Sequence, residues 1–421
     1  MKNRLNKTAQ RSIGLLLLAR LFERMAFYLV LSILQSFLMY QVQPGVKNIG
    51  LYYSFFMGTL IVTTFFAGLL GDKRNRNKVV ITGFVLLTAM YLVVPFLSEV
   101  RFLVITAFVL MGAGVGLTLP NLVVLLGNLY KEKDNEIRGL SGFILYTFVV
   151  ELGGLLALLS TSFLKARWGS TSIFLLAAAC GLAALLLFMQ FTRTYRLPEP
   201  EAAQQANQPS VSMKKQHRVI LLSVLITALM INFSLEIRYS TLVLALKDFT
   251  GWSSELSSML TPMERHLLPL LMLLFFGWVM RTKSMHWSRI FQLMLLGLAF
   301  AIVGYLAFVG FTPLKEFIGE KFIIYPAYSL LLVAESLLAP IFLYTVYRSS
   351  PVKYKGLFQG IYYGVLAVAS SLMFIGRSLY GSMGSMVFAL IAALLLINAI
   401  VIIGLKRHVA GKEKINQFAS I

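Results

Sequence analysis

Leu197 to Gln216 reads LPEPEAAQQANQPSVSMKKQ. Its Pro, Gln, Ala and Ser offer no apolar face to bury, so the stretch reads as a polar linker, and its flanks decide the architecture. On the N-terminal side lie apolar runs at 12–40, 50–71, 79–97, 102–130, 139–163 and 170–191. On the C-terminal side lie runs at 219–246, 255–280, 290–311, 323–347, 356–376 and 385–405. Each approaches the length of about 20 residues that a helix needs to cross about 30 Å of hydrocarbon. The expected fold class is therefore an all-α membrane protein of twelve transmembrane helices in two six-helix halves. Residues 1–191 form the first half, 192–218 the linker and 219–421 the second half. A linker of about 27 residues cannot hold a further pair of spans, which would need about 40.

Composition points the same way. Of 421 residues 58% are hydrophobic and only 13% charged, with a mean hydropathy of +0.78, which excludes a soluble globular enzyme. The net charge of +21 would suggest a nucleic-acid partner in a polar chain, but here it reports orientation. Basic residues are retained on the cytoplasmic side, and about 26 of the 38 Lys and Arg fall at the two termini, in the linker and in alternate loops. Both termini are expected in the cytoplasm, with no nucleic acid bound. Glu23 and Arg24 interrupt the first run and no small-residue cleavage site follows it, so it is expected to stay as a span and not to be removed as a signal peptide. The single cysteine, Cys180, excludes a disulfide framework and reads as a buried small hydrophobe. No P-loop, HExxH or GxSxG pattern appears among these residues, and four scattered histidines make no metal site. Neither an enzyme nor a cofactor is expected.

Against this background the charges inside the spans stand out. Arg20, Glu23 and Arg24 lie on the first span, Glu151 on the fifth, Glu236 and Arg238 on the seventh, Glu264, Arg265 and His266 on the eighth, and Glu335 on the tenth. An ionisable side chain at the bilayer centre costs about 2.5–3.5 kcal/mol on insertion scales, so such residues face a cavity or one another. Spacings of three and four put Arg20, Glu23 and Arg24 on one stripe. The alternative, that they are structural ion pairs holding the bundle together, applies to any one of them more readily than to the whole set. Spread over five spans in both halves, the set is what a substrate cavity with a proton-coupling network requires, because buried carboxylates beside guanidinium groups can exchange protons between the two faces of the membrane.

Two resemblances follow from particular residues. Gly68-Leu69-Leu70-Gly71-Asp72-Lys73-Arg74, between the second and third runs, resembles the GxLxD(R/K) loop of the major facilitator superfamily. That likeness implies the superfamily fold and makes Gly68, Gly71, Asp72 and Arg74 a conformational loop. Arg20 to Tyr28 (RLFERMAFY) resembles the ExxERFxYY signature of the proton-dependent oligopeptide transporter family within it. Gly116 to Asn121 (GLTLPN), continuing to Leu126 to Tyr130, is similar to that family's fourth helix. Tyr146 to Gly153, Leu235 to Leu242, Glu335 to Pro340 and Pro351 to Gly360 are similar to its fifth, seventh, tenth and eleventh helices.

The resemblance implies a proton-coupled symporter of small peptides or peptide-like solutes working by alternating access, a monomer in the inner membrane of a bacterium. Glu23, Glu236 and Arg20 would carry proton coupling. Arg24 would hold the peptide carboxylate and Glu335 its α-ammonium, with Tyr28, Glu151 and Arg238 completing the substrate-binding set. A zwitterion needs one fixed cation and one fixed anion on opposite halves, so that its binding draws the halves together. Three positions depart from the family pattern: Arg20 replaces its first glutamate, Leu119 a lysine and Glu151 an asparagine. Either Arg20 compensates for Leu119 or the cargo differs. The alternatives are an exporter or antiporter of a non-peptide amphiphile or organic anion, a non-transporting scaffold, and a membrane-embedded enzyme.

Overall fold

A computed structural model describes residues 2–43, 46–97, 99–131, 139–195, 215–237, 254–280, 286–318 and 320–418. Arg238, most of the linker and residues 238–246 of the predicted seventh span lie outside the described residues. Every element among the described residues is helical. In chain order the α-helices are α1 (Lys2–Phe37), α2 (Val46–Lys73), α3 (Arg76–Val93), α4 (Arg101–Lys131), α5 (Gly139–Thr194) and α6 (Lys215–Ile237). The series continues with α7 (Ser254–Met280), α8 (Trp287–Ile318), α9 (Glu320–Ser349), α10 (Lys355–Ser371), α11 (Met373–Met383) and α12 (Met386–Phe418).

Among the described residues nine stretches are long and apolar enough to cross a membrane. The other three predicted spans fall on α1, α7 and the pair α10 and α11, and each is interrupted in its own way. The apolar run of α1 contains three ionisable residues, and the apolar described part of α7 runs only from His266 to Met280. The eleventh run breaks at Leu372 (φ −86°, ψ 1°), which separates α10 from α11. The fifth and sixth runs are the two arms of α5. They reverse at Gly169, whose φ of 73° and ψ of −175° are costly for any residue with a Cβ.

The chain forms two compact units. One comprises Met1–Asp134, Phe148–Ser212 and Ser350–Gly364; the other comprises Asn135–Thr147, Met213–Ser349 and Val365–Ile421. In the first unit α4 packs against α2 and α3. Gly112 and Gly116, four residues apart on α4, meet the α2 backbone at Phe56 and Thr64 so closely that a Cβ at either would collide. Small residues at this spacing let membrane helices associate by backbone contact, where the hydrophobic effect supplies no drive. In the second unit α8 packs against α9 and α12, and α6 against α9, α12 and α11. The start of α5 belongs to this unit because Phe143 packs edge-on against Tyr344 at 5.7 Å and beside Tyr347 at 5.8 Å.

Candidate functional site

The first cluster is built on one helix. The i,i+3 spacing on α1 brings Arg20 Nη1 to 2.7 Å from Glu23 Oε2. Arg24, although adjacent in sequence, bends its stem back so that Nε donates to Glu23 Oε2 at 2.8 Å and Nη2 donates to Glu23 Oε1. The three residues are 2%, 2% and 6% exposed. One carboxylate therefore accepts three hydrogen bonds from two guanidinium groups, and the Arg24 contact is the bidentate fork that gives charged pairs both strength and direction. The face of the Arg24 guanidinium lies 4.4 Å over the Phe27 ring. Phe27 in turn packs against Phe56 at 6.3 Å and edge-on against Tyr28 at 5.4 Å. On α5, a Cβ at Gly153 would lie 3.0 Å from Arg24 Cβ, so the turn following half-buried Glu151 rests on the Arg24 turn of α1.

The second cluster draws on three helices of the other unit. Glu236, half-buried near the end of α6, accepts a 2.9 Å hydrogen bond at Oε1 from Ser370 Oγ on α10. Two residues earlier the Ser234 carbonyl accepts the hydroxyl of Tyr305, a fully buried residue of α8. Glu335 is half-buried on α9 and His266 buried on α7.

The third cluster is the loop between α2 and α3. The Asp72 side chain, 3% exposed, accepts from Gly356 N at 2.9 Å and Leu357 N at 2.8 Å. These are first-turn amides of α10 with no intrahelical acceptor, and a carboxylate there also meets the positive end of the helix dipole. The approach depends on Gly68, where a Cβ would collide with the Gly356 carbonyl, and on Gly71, where it would collide with Asn121 Oδ1. The arginine that meets Asp72 is Arg76, at 2.6 Å, the first residue of α3. Arg74 is exposed because α2 ends at Lys73 and Asn75 caps α3, its Oδ1 accepting from Asn77 N and Lys78 N. That cap turns the following residue back toward Asp72. Arg76 also donates to Asn121 Oδ1 at 2.8 Å, and Asn121 Nδ2 donates to the Ala67 and Leu117 carbonyls.

Sequence reasoning missed Arg76, Asn121, Ser370 and Tyr305. The i,i+4 spacing of Asp72 and Arg76 is a usable signal. Ser370 and Tyr305 carry none, since their partners lie 134 and 71 residues away. Leu119, at the position of the family's lysine, is buried.

Comparison with known proteins adds the following. A family model described as Major Facilitator Superfamily matches residues 16–374. "Dipeptide and tripeptide permease A" of Serratia proteamaculans is 26% identical over 170 residues, which cover 40% of this chain and 33% of the permease. The chain thus spans about a third of the length of such curated relatives in the matched region. Among solved structures, a bacterial homologue of the iron transporter ferroportin in its outward-facing state aligns with a TM-score of 0.70 at 17% identity, covering 94% of this chain and 99% of that one. The peptide transporter POT, in complex with sulfate, aligns with a TM-score of 0.62 at 17% identity, covering 94% of each chain.

Proposed function

Since this chain belongs to the major facilitator superfamily, and is thus a multi-pass membrane transporter and not an enzyme, we propose that it is a divergent oligopeptide-transporter relative that carries small peptides or peptide-like solutes together with protons. The observation that carries this reading is the Arg20, Glu23 and Arg24 cluster. Two donors of Arg24 are spent on Glu23, so a substrate carboxylate must compete with Glu23 for that guanidinium. A proton on Glu23 removes the competitor. Proton binding and carboxylate binding then favour each other, which is the thermodynamic requirement for symport. Arg20 keeps Glu23 in register with Arg24.

The other roles follow the same chemistry. Glu335 takes the substrate ammonium, Tyr28, Glu151 and Arg238 complete its polar contacts, and Glu236 exchanges a second proton on the C-terminal side of the sequence. The Gly68, Gly71 and Asp72 loop governs the conformational step through its bonds to α10. The similarity of about 40% of the chain to dipeptide and tripeptide permeases supports the cargo class. The bias of basic residues supports an orientation with both termini cytoplasmic in a bacterial inner membrane, and one chain holds all the residues assigned, so a monomer suffices.

The test compares two transport modes in liposomes. Glu23→Gln and Glu236→Gln should each abolish gradient-driven accumulation of dialanine while leaving part of counterflow exchange. Equal loss of both modes in folded protein would remove these carboxylates from coupling.

A further inference from the structure

Ser370 occupies an unusual position for a serine on a membrane helix. Its Oγ lies 2.9 Å from Glu236 Oε1 and 3.2 Å from the Leu366 carbonyl of its own helix. One hydroxyl hydrogen serves one of these acceptors well at a time. Two residues further on, α10 ends at the Leu372 break. There the Leu372 amide is shared between the Val368 and Ala369 carbonyls at 3.1 and 3.2 Å.

We propose that Ser370 is the positioning residue that reads the protonation of Glu236 and passes it to the break between α10 and α11. The proposal rests on the reading of Glu236 as a proton-exchanging carboxylate. With Glu236 ionised, the Ser370 hydroxyl donates to Oε1. When a proton from solvent binds the carboxylate, Glu236 becomes the donor and Ser370 Oγ the acceptor. The serine hydrogen then turns to the Leu366 carbonyl, which its own backbone amide also addresses. A hydroxyl bonded back to the i−4 carbonyl competes with the helix ladder and bends the helix, here in the last turn before the break. No bond other than the O–H of the incoming proton is made, and the serine keeps its hydrogen.

The seat itself is held from α8, where the Tyr305 hydroxyl fixes the Ser234 carbonyl two residues before Glu236. Of the elements packed against α6, α9 carries Glu335 midway along, Tyr325, Tyr328, Tyr344 and Tyr347, and charges at its two ends; α11 carries Arg377 and Tyr380; and the apolar stretch of α12 from Met386 to Leu405 carries no ionisable residue. The proton response is therefore read against the Glu335 background.

The experiment measures proton-driven uptake of radiolabelled dialanine into liposomes at a series of external pH values. Wild type, Ser370→Ala, Ser370→Thr and Ser371→Ala are compared, with folding checked by thermal melting. The hydrogen bond from Ser370 favours the ionised carboxylate. Its removal in Ser370→Ala should move the pH of half-maximal uptake upward by about one unit, a tenfold change in proton affinity. Ser370→Thr should restore the wild-type value. Ser371→Ala should not move it, because among the described residues that exposed serine bonds the Ala367 carbonyl and not Glu236. If Ser370→Ala does not fold, Ser370→Cys, a weak donor of similar size, should give an upward shift in the same assay. An unmoved midpoint in the alanine or cysteine variant, an equal shift in Ser371→Ala, or no rescue by threonine would overturn the role of Ser370 while leaving wild-type symport intact. No proton-driven uptake by the folded wild type would overturn the symport reading and this proposal with it.

Discussion

The two carboxylate seats, one buried and one half-buried, differ in the groups that hold the carboxylate. On α1, Glu23 is gripped by two arginines of its own helix, so a proton there releases a guanidinium. On α6, Glu236 is met by a serine hydroxyl from a helix 134 residues away, so a proton there turns a hydroxyl toward another helix's backbone. In the function proposed above, the first seat would convert proton binding into substrate affinity and the second into a change of helix geometry. A symporter needs both conversions, and the two carboxylates lie in different units.

The largest expected contrast between the seats is in stability. Glu23→Gln removes the charge that accepts three hydrogen bonds from two buried guanidinium groups and should cost on the order of 3–5 kcal/mol, whereas Glu236→Gln still offers an oxygen to the Ser370 hydroxyl and should cost about 1 kcal/mol. Thermal unfolding of the purified variants checks this, and equal losses would erase the distinction. Asp72 supplies an intermediate reference, since it also accepts three donors but lies at a helix end. Asp72→Asn should cost about 2 kcal/mol and slow transport in both modes. Tyr305→Phe removes only the phenol that holds the Ser234 carbonyl and should cost about 1 kcal/mol while broadening the pH profile of uptake. Smallest is the effect at the exposed Arg74, where alanine should change stability by less than about 0.5 kcal/mol. Arg76→Ala should cost clearly more, and the reverse order would mean that the loop is misread.

The same comparison explains what the sequence made legible. Arg20 and Glu23 stand three residues apart, a spacing that helical periodicity brings together, while Arg24, adjacent to Glu23, reaches it by bending its stem back. Glycines at 68 and 71 mark a close approach before its partner is known. The apolar runs fixed where most helices fall, and the three spans that fell short of the apolar criterion are those carrying charges, a shortened apolar part or a break. The seat of Glu236 was invisible because Ser370 and Tyr305 are ordinary residues whose meaning comes from tertiary contact. The loop motif reads consecutive positions and so includes Arg74, while the Asn75 cap decides that Arg76 is the arginine that turns back toward Asp72.

The central claim is that this transporter couples peptide movement to protons. Purified protein in liposomes under an imposed inward proton gradient, supplied with radiolabelled dialanine and a competing set of peptides and organic anions, tests it most directly. The account predicts accumulation above the external concentration, competition by peptides and collapse with a protonophore. Protein that is shown to be folded yet neither accumulates dialanine nor responds to peptide competitors would contradict it, and would mean that Arg20, Leu119 and Glu151 have redefined the cargo.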